Sequence, residues 1–159
     1  PPRSTLFPYT TLFRSGMFVT AMYGVLSVST GELIISSAGH NPAVVWRKSL
    51  GQNELVNPKG MALGLDKGNI FEKTVKEQRI LLNPGDRVVF YTDGVSEAMS
   101  PSNEEFGDER FFNLVAQEKG QSSNHLVDTL VRSLEQWKGN GPQSDDITIL
   151  TFMRTSLIA

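Results

Sequence analysis

The chain has 159 residues, with 15 basic and 17 acidic side chains and a net charge of −2. A mildly acidic chain without a basic stripe excludes nucleic acid as the main partner, and the lack of cysteine excludes disulfides and thiolate metal sites. No apolar run approaches the roughly 18–20 residues of a membrane-spanning helix, and no secretory pattern is present. We therefore expect a cytoplasmic segment without membrane contact.

The first 15 residues are set apart from the rest. The stretch Thr5–Ser15 reads TLFPYTTLFRS, which resembles the in-frame translation of a DNA-sequencing adapter. We interpret residues 1–15 as an artefact that is not native, and we exclude them from the fold, as one would a fusion scar. The alternative is a natural loop. Residues 16–159 keep 13 basic and 17 acidic side chains, a net charge of −4, and can form one domain.

The N-terminal part of this domain reads as strands and turns. The segments Tyr23–Ser29 and Glu32–Ser37 are rich in apolar and β-branched residues and flank Thr30-Gly31, which predicts a hairpin. Ala43–Trp46 follows a second turn and predicts a third antiparallel strand of the same meander.

The middle of the chain alternates loops with short strands. Residues 48–68 contain several Gly and Pro residues and predict a loop. Residues 71–75 and 79–82 predict short strands. The sequence Asn83-Pro84-Gly85-Asp86 suits a type II turn, and Arg87–Thr92 predicts the strand that follows it.

Two helices are predicted late in the chain. The first begins at Gly107-Asp108 and closes near Gly120, and the second begins at Ser122 or Ser123. Apolar residues recur at helical spacing in both helices, so each packs one side on a core: Phe111, Leu114 and Val115 in the first, and Leu126, Leu130, Leu134 and Trp137 in the second. Antiparallel strands followed by two amphipathic helices predict an α+β layered fold.

Two short acidic motifs are the candidates for chemistry. Tyr91-Thr92-Asp93-Gly94 follows an apolar run, and Asp145-Asp146-Ile147-Thr148 opens the run from Ile147 to Phe152. If the two strands meet at one edge, their carboxylates form a hard-oxygen site suited to Mg²⁺ or Mn²⁺. A strand that ends in Asp-Gly is more often simply a turn, and a solvated strand start explains the paired acids equally well. The residues alone leave these alternatives open.

These motifs belong to a longer ordered series. In chain order it comprises Met17-Phe18-Val19-Thr20-Ala21, Ser37-Ala38-Gly39-His40-Asn41-Pro42, Ala62-Leu63-Gly64, Leu82-Asn83-Pro84-Gly85-Asp86, Tyr91 to Ala98, Phe106-Gly107-Asp108-Glu109-Arg110 and Asp145-Asp146-Ile147-Thr148. The series resembles the PPM-type (type 2C) metal-dependent serine/threonine phosphatases, and within them the bacterial SpoIIE/RsbU branch. The resemblance implies part of the PPM four-layer sandwich, with antiparallel sheets flanked by helices.

The resemblance also implies a two-metal site for Mn²⁺ or Mg²⁺. By motif match, Asp93 and Asp145 are ligands. Asp146 is the less certain ligand, because relatives often carry Asn there, and it would orient or hydrogen-bond its neighbour. Catalysis would need no side-chain nucleophile beyond these metal ligands.

Part of the family pattern is missing. The family's metal cluster also uses aspartates from an upstream Gly-Asp-x-x-Gly-His-Gly-like turn, which nothing in residues 1–16 matches. We therefore expect residues 16–159 to be the C-terminal part of the phosphatase domain, with an incomplete metal site and no activity of their own.

The branch implies a phosphorylated protein substrate, an anti-sigma-factor antagonist, and a sensor or regulatory domain lost upstream. The alternative is a non-catalytic partner-binding module with a phosphatase-like fold. A third reading is a fragment that does not fold stably, because a sheet that lacks strands exposes its edges.

Other polar residues remain secondary candidates. His40 could be a metal ligand or general acid, but we favour a structural role in a turn. Glu97 could reach the metal edge or cap the next segment, and both readings stay open. His125 is expected at the surface. Three arginines could clamp a phosphate, although a solvated surface role is favoured for each: Arg47, Arg79 and Arg87.

Overall fold

A computed structural model describes residues 18–66 and 69–155; residues 1–15, interpreted above as non-native, lie outside this part. The strands are β1 Ala21–Leu26, β2 Glu32–Ala38, β3 Ala43–Arg47, β4 Gln52–Val56, β5 Glu77–Leu81, β6 Arg87–Tyr91 and β7 Ile149–Met153. The helices are α1 Phe71–Thr74, α2 Asp108–Gln117 and α3 Ser123–Lys138.

The chain divides into two compact units. Among the described residues, the first comprises 18–25, 34–40, 58–66 and 69–79, and the second comprises 26–33, 41–57 and 80–155. One sheet has the strand order β1-β2-β5 and the other has the order β4-β3-β6-β7. Two sheets with few helices confirm the predicted α+β class. In the described part of the chain, no helix combines the length and the apolar character needed to cross a membrane.

The predicted hairpin is confirmed, because β1 and β2 are neighbours in one sheet. The predicted third strand of that meander is wrong. β3 pairs instead with β4 and β6, with Val44 opposite Leu55 on one side and Val89 on the other. The residues from Ala43 to Trp46 are all buried, and a continuous apolar run is typical of a strand covered on both faces.

Two further predictions from the middle of the chain are wrong. β4 lies inside the predicted loop, since an edge strand such as Gln52–Val56 can be held by backbone pairing to β3 without an apolar pattern of its own. Phe71–Thr74 forms a helical turn rather than a strand. Apolar residues four apart fit one turn of helix as well as one face of a strand.

The turn that leads into β6 is confirmed. The amide of Asp86 donates to the carbonyl of Asn83 at 2.9 Å, and Gly85 has a φ of +92°, as the third position of a type II turn requires. The fully buried Asp86 carboxylate accepts from the amides of Asn83 and Lys48 and from Arg47. This buried carboxylate fixes the start of β6.

Both predicted helices are confirmed in the second unit. α2 packs on α3, β3 and β4, and α3 packs on β7. Ser122 caps α3, with its hydroxyl accepting from the amide of His125 at 3.1 Å. The core of this unit consists of apolar side chains from the four-stranded sheet, from the loop after β6 and from both helices: Val44, Trp46, Val89, Tyr91, Val95, Ala98, Phe106, Phe111, Val115, Leu126, Leu130 and Leu134.

Candidate metal edge

The two acidic motifs meet at one end of the four-stranded sheet, beyond the ends of two neighbouring strands. We call this end the metal edge; it comprises Thr92, Asp93, Gly94, Asp145 and Asp146. β6 and β7 are antiparallel neighbours, with Tyr91 opposite Ile149. Asp93 follows the end of β6, and the second acidic motif precedes the start of β7, so both lie beyond the same pair of strand ends. β7 begins at Ile149 rather than at Ile147 as predicted. The two residues before it therefore belong to the connecting segment.

Thr92 joins the two motifs. Its hydroxyl donates to the carbonyl of Asp146 at 2.8 Å and accepts from the amide of Thr148 at 2.9 Å. Its amide donates to the carbonyl of Thr148 at 3.1 Å. Sequence reasoning missed this role. The signal was a hydroxyl residue directly before the aspartate of the first motif, at a strand end where a second chain segment must be held.

Gly94 allows the close approach of the two segments. A Cβ at this position would lie 2.6 Å from the carbonyl oxygen of Asp146 and 3.3 Å from the carbonyl carbon of Asp145. Side-chain carbon atoms do not normally approach backbone this closely, so only glycine fits here without displacement. The backbones of the two motifs are therefore in direct contact.

The three predicted ligands lie around this contact, and all three residues are exposed. One carboxylate oxygen of Asp93 accepts from the amide of Gly94 at 3.1 Å, and one of Asp145 accepts from the amide of Asp146 at 2.7 Å. Exposed carboxylates are the hard donors that Mg²⁺ and Mn²⁺ prefer, so the donor chemistry fits these ions. Within residues 18–66 and 69–155, however, no group of three or more His, Cys, Asp or Glu side chains is arranged to hold an ion.

Glu97 lies in the turn that follows Asp93. Its amide donates to the carbonyl of Asp93 at 2.8 Å, and its carbonyl accepts from the hydroxyl of Ser144 at 3.3 Å. Gln143 donates to the carbonyl of Asp145 at 2.8 Å. The backbone of Glu97 thus links the loop after β6 to the segment that carries the paired acids.

The two histidines make local contacts. His40, in the first unit, has Nδ1 3.3 Å from the hydroxyl of Thr20, and its amide donates to the hydroxyl of Ser37 at 3.1 Å. These bonds agree with a role in the turn. His125 is exposed at the surface as expected and lies 3.0 Å from a carboxylate oxygen of Glu118.

The prediction of a solvated surface role holds for Arg79 and is wrong for Arg87. The side chain of Arg79 is 60% exposed, whereas Arg87 is 1% exposed and donates to the carbonyls of Glu118 and Gln121. Burial lowers the pKa of Arg87, and the charge of Glu118 partly offsets this. Arg87 thus joins β6 to the C-terminal end of α2.

Arg47 is also more buried than predicted, with 12% of its side chain exposed. It lies 2.6 Å from Glu54 and 3.0 Å from Asp86. Burial by itself would lower the pKa of Arg47, but the bonds to both carboxylates raise it above its usual value. Both partners are residues of this chain, so we assign Arg47 a role in stabilising the fold.

The family model for stage II sporulation protein E (SpoIIE) matches residues 8–155. The chain belongs to the SpoIIE family of PPM-type phosphatase domains. The protein IcfG of Synechocystis sp. is 30% identical over 138 residues, which are 87% of this chain and 21% of that protein. The chain therefore spans about a fifth of the length of this curated relative.

Solved structures show the same fold. The phosphatase domain of the cell fate determinant SpoIIE from Bacillus subtilis matches with a TM-score of 0.66 at 17% identity, over 88% of this chain and 60% of that one. A Mycobacterium tuberculosis structure of RsbU and RsbW domains matches with a TM-score of 0.63 at 28% identity, over 86% of this chain and 36% of that one. The predicted SpoIIE/RsbU-like fold is confirmed over part of the domain.

Proposed function

We propose that residues 16–159 are the C-terminal part of a metal-dependent phosphatase domain that hydrolyses phosphoserine or phosphothreonine in a protein. The observation that carries the proposal is the contact between the Asp93-Gly94 turn and the Asp145-Asp146 segment at one sheet edge. Membership of the SpoIIE family supports it. Since the chain spans 60% of the SpoIIE phosphatase structure, we propose activity for the parent protein and none for this chain alone.

The carboxylates of this edge would hold Mn²⁺ or Mg²⁺. When bound, a pair of such ions lowers the pKa of a shared water and neutralises charge on the phosphoryl oxygens. Asp93 and Asp145 would be ligands, and Asp146 is the less certain third. Thr92 and Gly94 would position these ligands by holding the two backbones together. The remaining ligands would come from the upstream part of the domain.

The substrate would be a phosphorylated protein, an anti-sigma-factor antagonist in this branch. Membership of the SpoIIE family of PPM-type phosphatase domains supports a phosphorylated protein as the substrate. We further propose a sensor or regulatory domain upstream, a cytoplasmic location and no contact with nucleic acid or membrane. The modest negative charge of the chain supports the exclusion of nucleic acid.

The decisive test is Asp93→Asn in the parent protein, with the upstream part of the domain restored. Asparagine keeps the shape of the side chain and removes the charge that attracts a dication. We expect Mn²⁺- or Mg²⁺-dependent hydrolysis of a phosphoserine protein to fall by at least about 100-fold, a loss of about 2.7 kcal/mol of transition-state stabilisation. Calorimetric titration with Mn²⁺ should show weaker binding in the same variant.

Asp128→Asn is the matched control. Asp128 is an exposed residue of α3 whose carbonyl accepts from Arg132, and its substitution makes the same charge change away from the metal edge. It should leave turnover and Mn²⁺ affinity unchanged. Near-wild-type activity of Asp93→Asn would show that Asp93 is not a ligand.

A further inference from the structure

The second unit has a cavity at the end of the four-stranded sheet opposite to Asp93. It has a volume of about 460 Å³ and lies beside the residues that follow β3, the turn before β6 and the end of β7. Its lining includes Lys48, Gly85, Lys119 and Arg154. β6 runs from this end of the sheet to the metal edge, and its five residues span about 15 Å.

The lining of this cavity is strongly cationic. It includes Lys48, Lys119 and Arg154, and no aspartate or glutamate lines it in the part of the chain that the structure describes. The cavity therefore gathers three positive charges in a chain whose net charge is −2. Such a concentration of one sign attracts anions, because the low-dielectric walls focus the field.

The nearby carboxylates have partners of their own. Asp86 is fully buried and accepts from Arg47 and from the amide of Lys48. Glu54 lies 2.6 Å from Arg47, and Glu118 lies 3.0 Å from His125. These pairs leave the ammonium groups of Lys48 and Lys119 without a carboxylate partner in the described part of the chain, so both can act on an anion in the cavity.

Two of the three cations are held in place. The guanidinium of Arg154 donates to the carbonyl of Leu82 and lies against Gly31. The stem of Lys48 crosses Gly85, because a Cβ there would lie 2.3 Å from its Cδ. Groups that are already positioned lose little freedom when an anion binds, so a given contact yields more affinity.

We propose that this cavity binds a small anion that carries a diphosphate group. Three cations match a ligand with two or more negative charges, and guanidinium and ammonium groups both bind phosphate oxygens well. The volume lies in the range of small-molecule sites. The site is separate from the metal edge, and its existence does not depend on the proposed phosphatase activity.

The test is calorimetric titration of the full chain with pyrophosphate and with ADP, in buffer that contains EDTA. Removing divalent ions prevents binding through metal at the Asp93 edge. We expect both ligands to bind, with affinity that falls as salt rises. Lys48→Gln and Lys119→Gln should each weaken binding about tenfold, the loss of one hydrogen bond to a charged group, whereas Lys48→Arg and Lys119→Arg should retain it.

Lys138→Gln is the matched control, because it removes the same charge at the end of α3 beside a different cavity. It should bind like the wild type. Equal affinities for the two ligands would support recognition of the diphosphate group alone, and tighter ADP binding would support a nucleotide as its source. Absence of binding, an equal loss in Lys138→Gln, or unchanged binding in both glutamine variants that fold normally by circular dichroism would overturn the proposal.

Discussion

Single side chains at the end of β6 connect the core to the candidate site. Tyr91 is buried, with its ring centroid 4.4 Å from that of Phe111. The next residue, Thr92, bonds to the segment that carries the paired acids. A strand end that is fixed on its core side can therefore hold the following aspartate in one place relative to a second chain segment.

Thr92→Val should loosen this connection. Valine keeps the branched shape but leaves the carbonyl of Asp146 and the amide of Thr148 without their hydroxyl partner. We expect a loss of about 1 kcal/mol in the free energy of unfolding, measured by urea titration, together with weaker Mn²⁺ binding. Thr148→Val is the control, since the bonds of Thr148 at this edge use its backbone. Equal effects of the two substitutions would contradict the role given to the Thr92 hydroxyl.

Tyr91 gives a pH-dependent prediction. Burial raises the pKa of Tyr91 well above its ordinary value, and the carboxylate of Asp108, 3.3 Å from the hydroxyl, adds to this. An unfolded tyrosine ionises near pH 10. Above that pH the unfolded state loses a proton that the folded state keeps. The contribution to stability is therefore complete below about pH 10 and declines as the pH rises toward the raised folded pKa.

Urea unfolding between about pH 8 and 11 measures this difference, starting below the reference tyrosine pKa. The unfolding free energy of the wild type should fall more steeply above pH 10 than that of Tyr91→Phe, since lysine titration is common to both proteins. Tyr23→Phe serves as the control, because Tyr23 is 70% exposed, and should follow the wild type. The same slope for Tyr91→Phe and the wild type would show that the phenol is not protected from ionisation.

At the scale of elements, α3 covers the sheet through one apolar side and begins at a defined cap. Leu126, Leu130 and Leu134 are buried, and α3 packs on β7. α2 is attached differently, because Arg87 of β6 donates to the carbonyls of Glu118 and Gln121 just beyond its last turn. These two carbonyls lie in the segment between α2 and α3, and a buried guanidinium supplies their hydrogen-bond donors.

Ser122→Ala should destabilise the second unit through its helix. The hydroxyl of Ser122 accepts from the amide of His125, and loss of such a cap costs about 1 kcal/mol. Thermal or urea unfolding measures the change. Ser123→Ala alters the neighbouring serine without removing the cap, and its effect should stay within about 0.5 kcal/mol. A larger effect at Ser123 than at Ser122 would place the cap one residue later.

At the scale of the whole chain, the candidate metal edge carries three carboxylates, of which two or three would be ligands: Asp93, Asp145 and Asp146. We predict weak Mn²⁺ binding by residues 16–159 without cooperativity, because so few carboxylates cannot enclose two dications. Calorimetric titration of this segment measures it. Asp93→Asn should weaken the binding further, and Asp128→Asn should not. Two tight sites in the segment would mean that its ligand set is complete and that the proposed division of the domain is wrong.

Local sequence patterns predicted the elements that form by local interactions. The type II turn at Asn83–Asp86 follows from Pro and Gly at fixed positions. α3 follows from leucines at helical spacing behind a serine cap. The strand Arg87–Tyr91 follows from an apolar run between turn signals. In each case the residues that determine the structure are neighbours in the chain.

The errors concern partners that are distant in the chain. Nothing local in Ala43–Trp46 indicates that it pairs with Val88 and Val89 instead of with the preceding hairpin. β4 lacks an apolar pattern because its pairing with β3 is made by the backbone. Arginine is a residue type usually found at the surface. The burial of Arg87 depends on its hydrogen bonds to two carbonyls beyond the end of α2.

The candidate site likewise depends partly on local sequence and partly on contacts between segments that are distant in the chain. The sequence by itself determined the identity and order of the acids, since Asp93 follows one apolar run and Asp145 and Asp146 precede another. Only the tertiary structure decided that Gly94 lies against Asp146 and that the Thr92 hydroxyl bonds to both sides of that segment. The physical reason is that hydrogen bonds and close backbone contacts between strands depend on register, which residues far apart in the chain set jointly.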